Sequence, residues 1–382
     1  MIIYLDNATT SNPIPTVVTD SLRYGVLNLT SANRGIHQLS VKASDALHDT
    51  RETIAKFLNI RDSRKLIFTP GCTYSINFVL QGLKWQEGDT VAISSLEHNA
   101  VYRPLLYLQK KYNLNIELIP YAQHKGFEPY DLERILMKNK VKLIVISHTS
   151  NVTGEILPVR KVKALADKYD TKLLVDGSQA IGCFPVDMSE LDVDFYAFSG
   201  HKHLLGPPGV GFLYIKDPDS IEPIIFGGTG SDSVLENMPE FSPDKFEPGT
   251  YNLPAIWTFN NALSYLKSLG MENIYNGRRE LVHLAVENLK RINKLECYST
   301  YKNNSGIVAF NLKDWTSQEV ASILDKKYNI CVRAGLHCSP LSHKALGTFP
   351  DGCIRISFSC FNTRSELKTL VKAVNEISES IK

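Results

Sequence analysis

The sequence predicts an α/β fold built on a mostly parallel sheet, and three observations carry that prediction. Strand-like apolar runs at 65–69, 91–94, 116–119, 142–147, 172–175, 194–198 and 210–215 alternate with helical patterns, as strands joined by crossover helices do. Between two of these runs, Val159, Val162, Leu165, Ala166 and Tyr169 fall on one helical face. Near the C-terminus, Thr363 and Glu366 make a capping box, and Leu367, Leu370, Val371, Val374, Ile377 and Ile381 form one apolar stripe. With 382 residues, 43% of them apolar, the chain can bury a sizeable core and make two domains. The Gly/Pro/Ser/Asp-rich stretch 227–254 is the place for an inter-domain or intersubunit loop.

Composition excludes several classes of function. A net charge of +2, from 42 basic and 40 acidic residues, leaves no electrostatic footprint for nucleic acid or an anionic membrane surface. No apolar run approaches the roughly 20 residues needed to span a bilayer. The start, Met1 to Asp6, lacks the basic and long apolar regions of a secretory signal. Seven cysteines, an odd number without regular spacing, fit free thiols in a reducing cytoplasm.

Chemistry enters at the strand ends. Leu173-Leu174-Val175-Asp176 delivers a carboxylate, followed by Gly177-Ser178-Gln179, and the run Asp194 to Phe198 leads into Ser199-Gly200-His201-Lys202. A carboxylate and a lysine at adjacent strand ends can hold a pyridinium ring by its nitrogen and its aldehyde carbon, which points to pyridoxal phosphate. Asp176 would stabilise the protonated ring nitrogen, Gln179 would bond the phenolic oxygen, and Lys202 would form the Schiff base as a desolvated, neutral amine. A solvated loop lysine is the bland alternative, and the fate of most lysines. Lys65 to Pro70 reads as a strand, Gly71-Cys72-Thr73 as a turn and Tyr74 to Leu80 as a helix start, so free N–H groups face an anion there and Thr73 adds a hydroxyl. Ser199 and His201 can add donors to the same phosphate. His98, in Ser95-Leu96-Glu97-His98-Asn99, is placed to stack on the ring and to take part in proton transfer.

Eight motifs in order resemble those of cysteine desulfurases, specifically the group II branch of the class V aminotransferase family that includes SufS-type enzymes and selenocysteine lyases. They are Asp6-Asn7-Ala8-Thr9-Thr10, Asn33-Arg34-Gly35-Ile36-His37, Glu97-His98-Asn99, Ser150-Asn151-Val152-Thr153-Gly154, Asp176-Gly177-Ser178-Gln179, Ser199-Gly200-His201-Lys202, Arg333-Ala334-Gly335-Leu336-His337-Cys338 and Arg355-Ile356-Ser357. The resemblance implies a fold type I pyridoxal-phosphate transferase, with a large cofactor domain at 15–255 and a small α+β domain at 256–382 joined by residues 1–14. It implies Lys202 as Schiff base, Asp176 on the ring nitrogen, His98 stacked on the ring, and Gln179 on the phenolic oxygen. Cys72, Thr73, Ser199 and His201 would lie with the phosphate, Asn151 would reach both cofactor and substrate, and Thr250 would be lent to a neighbouring subunit's phosphate in a homodimer. Arg355 and Asn151 would bind the substrate carboxylate, with His37 and Arg333 beside them.

Cys338 separates the possible reactions. In the family the cysteine of this loop takes sulfur from L-cysteine as a persulfide, leaving L-alanine, and a thiol or an acceptor protein removes the sulfur. Arg333, His337, His343 and Lys344 would favour its thiolate if they are close in space, and Ser339-Pro340 beside it reads as an exposed loop. A zinc set of Cys331, His337, Cys338 and His343 lacks the paired short spacings of structural sites. Two stretches depart from the group II pattern: Ser342 to Thr348, which reads as an insertion, and Gly227 to Asp232. Selenocysteine lyase, a transaminase or epimerase reaction on the same cofactor, and a non-enzymatic partner-binding module stay open as alternatives.

Overall fold

The computed structural model describes residues 2–380 apart from Arg34, His124 and Asp232. Arg34 of the second motif, Asp232 of the 227–232 stretch and Ile381 of the final stripe therefore lie outside the described residues. All seven apolar runs become strands, with ends within a residue of those expected: Leu66–Thr69 (β1), Thr90–Ser94 (β2), Asn115–Ile119 (β3), Val141–Ser147 (β4), Lys172–Asp176 (β5), Phe195–Ser199 (β6) and Gly211–Ile215 (β7). They form one sheet in the order β1-β7-β6-β5-β4-β2-β3. Only β7 runs against its neighbours. No helix separates it from β6, and a connection without a crossover returns antiparallel.

Continuous apolar strands are the mark of a sheet covered on both faces. Along β4, Leu143 and Val145 enter one core while Ile144 and Ile146 enter the other. Helices Cys72–Gly82 (α1) and Asn99–Tyr112 (α2) cover the first face. The second is covered by Gln38–Phe57 (α3), Val159–Lys168 (α4) and Leu253–Leu269 (α5).

A separate core unites a smaller antiparallel sheet with three helices. Its strands Leu295–Cys297 (β8), Ile307–Leu312 (β9), Arg333–Gly335 (β10) and Cys353–Ser357 (β11) lie in the order β8-β9-β11-β10. Helices Met271–Leu289 (α6), Ser317–Tyr328 (α7) and Arg364–Glu379 (α8) pack on it. Thr363 and Glu366 make the expected capping box on α8. The chain's first residues join this core: Ile3–Tyr4 pairs with Ile330–Cys331, and Ile3 and Leu5 are buried in it. Among the described residues no helix is long and apolar enough to cross a membrane.

The segment after Cys338 differs from expectation. Ser339 is buried and Pro340 opens a helix, Pro340–Leu346, that Gly347 ends in the left-handed region. Proline at the first helical turn and glycine just past the last are the usual start and stop signals, and Leu341 and Leu346 fix the helix by burial.

A buried ion pair anchors the 247–252 stretch to edge strand β1. Arg51 meets Glu247 in a two-pronged contact of 2.8 and 2.7 Å, and Glu247 also accepts the Phe68 N–H at 2.6 Å. Glu247→Ala strands the guanidinium in the core, and chemical denaturation is expected to show a loss of about 3–5 kcal/mol.

Candidate active site

The functional side chains gather along one edge of the large sheet because the chain leaves its parallel strands there. β1 ends before Gly71 and α1; β2 leads to His98, the N-cap of α2; β4 leads to Asn151; β5 ends on Asp176; β6 ends on Ser199, just ahead of Lys202. The carboxyl edge of a parallel sheet is where open α/β folds bind ligands.

Gly211 lets two of these strand ends meet. A Cβ there would sit 2.5 Å from the Gly71 Cα, and Gly211 pairs in register with Ser199. The first turn of α1, with Cys72 and exposed Thr73, is thus set against the strand end that carries Ser199 and His201. Gly71 gives that turn no side-chain cap, so its N–H groups remain available to an anion.

Asp176 is held by the Ser178 N–H at 2.9 Å and the Cys72 thiol at 3.4 Å, both on Oδ1; Oδ2 accepts no hydrogen bond among the described residues. Burial pushes the Cys72 thiol well above its ordinary value, which keeps it a neutral donor. Half-buried Lys202 makes no hydrogen bond or ion pair through Nζ among the described residues. Desolvation lowers its pKa against the opposing pull of Asp176. His98 accepts the Ala100 N–H on Nδ1 at 3.0 Å, and burial followed by the Lys202 charge brings its pKa down to about 4. His201 is likewise brought to about 4, chiefly by burial. A carboxylate with a free oxygen, a desolvated unpartnered amine, a neutral imidazole and an open helix end fit a protonated pyridine that carries an aldehyde and a phosphate. These residues fit pyridoxal phosphate.

Glu97, beside His98, is fully buried. It accepts the Ser147 N–H at 2.7 Å and the Ser147 hydroxyl at 3.1 Å, and the Ser94 hydroxyl as well. Desolvation raises its pKa from 4.5 to about 8. Its stabilising contribution is therefore complete below about pH 4.5 and is lost as pH rises through about 8. Glu97→Gln keeps an acceptor without the titration. Its melting temperature is expected to decline less than that of the wild type across that window, and parallel declines would refute the assignment.

The segment Asp6 to Ser11 ties the two sheets together over the site. Ser11 donates its hydroxyl to the Lys202 carbonyl at 2.6 Å, Thr10 donates to the His201 carbonyl at 3.0 Å, and Gln179 Nε2 donates to the Ala8 carbonyl at 2.8 Å. On the other side, Asn7 donates to the Ser357 carbonyl at 3.0 Å, and the Arg355 guanidinium reaches Asp6 at 2.8 Å and Thr9 at 3.0 Å. Arg355 is 1% exposed, and its Nε has no partner among the described residues. Arg333 shares Thr9 at 2.8 Å.

Cys338 stands exposed on a turn in which it and His337 both hold positive φ, 58° and 49°. Such backbone costs of order 1–3 kcal/mol per residue and persists only where neighbours impose it. Asn151 supplies much of that restraint: its Nδ2 donates to the His337 carbonyl at 2.8 Å and its Oδ1 accepts the Ser339 hydroxyl at 2.7 Å. The Asn99 N–H holds the Cys338 carbonyl at 2.7 Å. Arg333 lies 3.8 Å from the Cys338 sulfur.

The other expected positive neighbours do not act. His337 and His343 are buried and their pKa values are lowered, that of His343 to about 4, so both rings are neutral. Lys344 sits over the Phe349 ring. Nor does the zinc set gather: among the described residues His337 and His343 cluster with Cys353 instead, within 4.8 Å, and no fourth His, Cys, Asp or Glu joins them. His37 caps α3 through the Ser40 N–H at 3.2 Å and is exposed. Thr250 is exposed beyond the Glu247 anchor. Sequence reading missed the work of Asn7, Ser11 and Ser339, whose only signal was their place in or beside a motif.

Comparison with known proteins agrees with this geometry. The aminotransferase class-V family model matches residues 3–370. A cysteine desulfurase of Escherichia coli O17:K52:H18 (strain UMN026 / ExPEC) is 34% identical, covering 98% of this chain and 93% of the relative. The apo structure of a cysteine desulfurase from Thermococcus onnurineus NA1 superposes with a TM-score of 0.94 at 29% identity, covering 100% of this chain and 95% of that one. The S-sulfonic acid form of the Escherichia coli cysteine desulfurase CsdA gives 0.88 at 27%, covering 98% and 94%. The architecture is that of fold type I pyridoxal-phosphate enzymes. The chain belongs to the class V aminotransferase family, among its pyridoxal phosphate-dependent cysteine desulfurases.

Proposed function

We propose that this enzyme takes the sulfur of L-cysteine onto Cys338 and releases L-alanine. The observation that carries the reading is the exposed Cys338 sulfur on a strained, tethered turn beside Arg333. Bound pyridoxal phosphate supplies an electron sink for charge at the substrate Cα. Asp176 Oδ2 would take the ring nitrogen's proton, the α1 N-terminus with Thr73, Ser199 and His201 would hold the phosphate, and neutral His98 would stack on the ring. Arg355 offers its unpartnered Nε to the substrate carboxylate, a charge-assisted bond in a desolvated site. Lys202, whose pKa burial lowers, removes the Cα proton.

The Cys338 thiolate then attacks the substrate sulfur. A sulfur–sulfur bond forms, the Cβ–S bond breaks with its electron pair going to the carbon side, and protonation gives alanine. Arg333 stabilises the attacking thiolate. A thiol or an acceptor protein collects the persulfide sulfur at the exposed turn. Two chains complete the site in this reading, with exposed Thr250 given to the partner's phosphate.

The test is alanine and sulfide release from L-cysteine by the purified holoenzyme with a reductant, run beside selenocysteine. Equimolar alanine and sulfide are expected. A protein that binds the cofactor yet leaves cysteine unchanged while consuming selenocysteine would move the substrate, and inertness toward both would defeat the proposal.

A further inference from the structure

Behind the cofactor site, a buried line of polar side chains runs from the small sheet's helix to Gln179. Arg278 on α6 is 2% exposed. Its Nε donates to the Ser305 carbonyl at 2.8 Å, and its NH1 lies 3.1 Å from His203 Nδ1. His203 Nε2 lies 3.1 Å from Gln179 Oε1, and Gln179 Nε2 is 2.8 Å from the Ala8 carbonyl. No carboxylate pairs with Arg278 among the described residues, and its NH2 has no partner. The backbone makes room for it: at Gly306, φ +120°, a Cβ would sit 2.6 Å from Arg278 Nε. A cation desolvated without a counter-ion is costly, so its place calls for an explanation.

Hydrogen-bond direction supplies one. A guanidinium has five donors and no acceptor, so His203 Nδ1 must accept. A neutral imidazole then carries its proton on Nε2 and must donate it to Gln179 Oε1. The far end demands the same orientation, because the Ala8 carbonyl can only accept, which puts the Gln179 NH2 group there. Both ends fix one direction, and one amide N–H remains uncommitted.

We infer that Arg278 and His203 are positioning residues that lock the Gln179 amide with its N–H, not its carbonyl, toward the phenolic oxygen of the cofactor. This rests on the proposed contact between Gln179 and that oxygen. Burial, then the Arg278 charge, followed by Lys202, Arg355 and His201, keeps His203 neutral. By donating to the phenolic oxygen, the relay stabilises its negative charge, and the imine proton between that oxygen and Lys202 is then lost at lower pH. Asp176, Cys72, Arg355 and Arg333 also act on Lys202 and are common to every variant below.

The test is a pH titration of the visible absorbance of holoenzyme, with thermal melts as a folding control. In His203→Phe and Arg278→Gln the midpoint is expected to rise by about one pH unit, the size of one lost hydrogen bond. Arg278→Lys, which still only donates, is expected to stay near the wild type. An unchanged midpoint in folded His203→Phe overturns the relay. Should the variants fail to fold, nitrogen NMR of wild-type holoenzyme carrying labelled histidine reads the tautomer directly: a proton on His203 Nε2 supports the inference, and one on Nδ1 overturns it. A wild type with no visible absorbance would instead defeat the cofactor reading itself.

Discussion

Lys202→Ala is expected to lower alanine formation from L-cysteine by about 10⁴-fold or more, since in the proposed reading one side chain is both the cofactor's attachment and the base at Cα. The same substitution should not harm the fold. Lys202 Nζ bonds nothing among the described residues, and its pKa is depressed because burial disfavours the charged form. A base whose folded pKa is depressed contributes stability above its unfolded pKa and loses it as pH falls through the folded value. At neutral pH the wild-type apoprotein therefore bears a cost that the alanine variant lacks. Melting of the two apoproteins is expected to place Lys202→Ala at or above the wild type. A variant with both low activity and low melting temperature would mean that Lys202 acts by holding structure.

Cys338→Ser should separate the two halves of the reaction. Cofactor absorbance and stability are expected to match the wild type, because the side chain is exposed and its contact with Arg333, at 3.8 Å, is one a serine hydroxyl can replace. Sulfur transfer should fall at least about 100-fold, since a serine hydroxyl is not ionised at neutral pH and cannot replace a thiolate nucleophile. Mass spectrometry after one turnover should find an added sulfur atom on the wild type and none on the variant. Cys353→Ser is the control, for Cys353 is buried and burial pushes its thiol up to about 12, so it should retain transfer. Persulfide persisting in Cys338→Ser would send the sulfur elsewhere.

Much of the fold was legible because buried parallel strands are written as local apolar runs. The Thr363 and Glu366 cap and the strand ends at Asp176 and Ser199 were read from neighbours in sequence alone. The site's electrostatics were less accessible. His337 and His343 look like positive neighbours of Cys338 until burial, which depends on packing from distant elements, makes them neutral. Asn151 reads as a ligand residue, yet its amide is engaged with the turn on either side of Cys338. The relay from Arg278 to Gln179 joins residues whose spacing carries no periodic signal, so only the folded chain brings it out.

The clasp formed by residues 6–11 also sets an order of assembly. Asn7 and its partner Ser357 are separated by 350 residues, so during synthesis this segment must wait for the last strand, β11. The large sheet, Asp176 and Lys202 can be in place well before then, because their contacts lie between nearer elements. Arg355 cannot meet Asp6, nor Arg333 meet Thr9, until that late closure. On the roles proposed above, a nascent chain gains the means to hold a cofactor before it gains the means to position a substrate, and chains cut short by a few tens of residues should stop between the two.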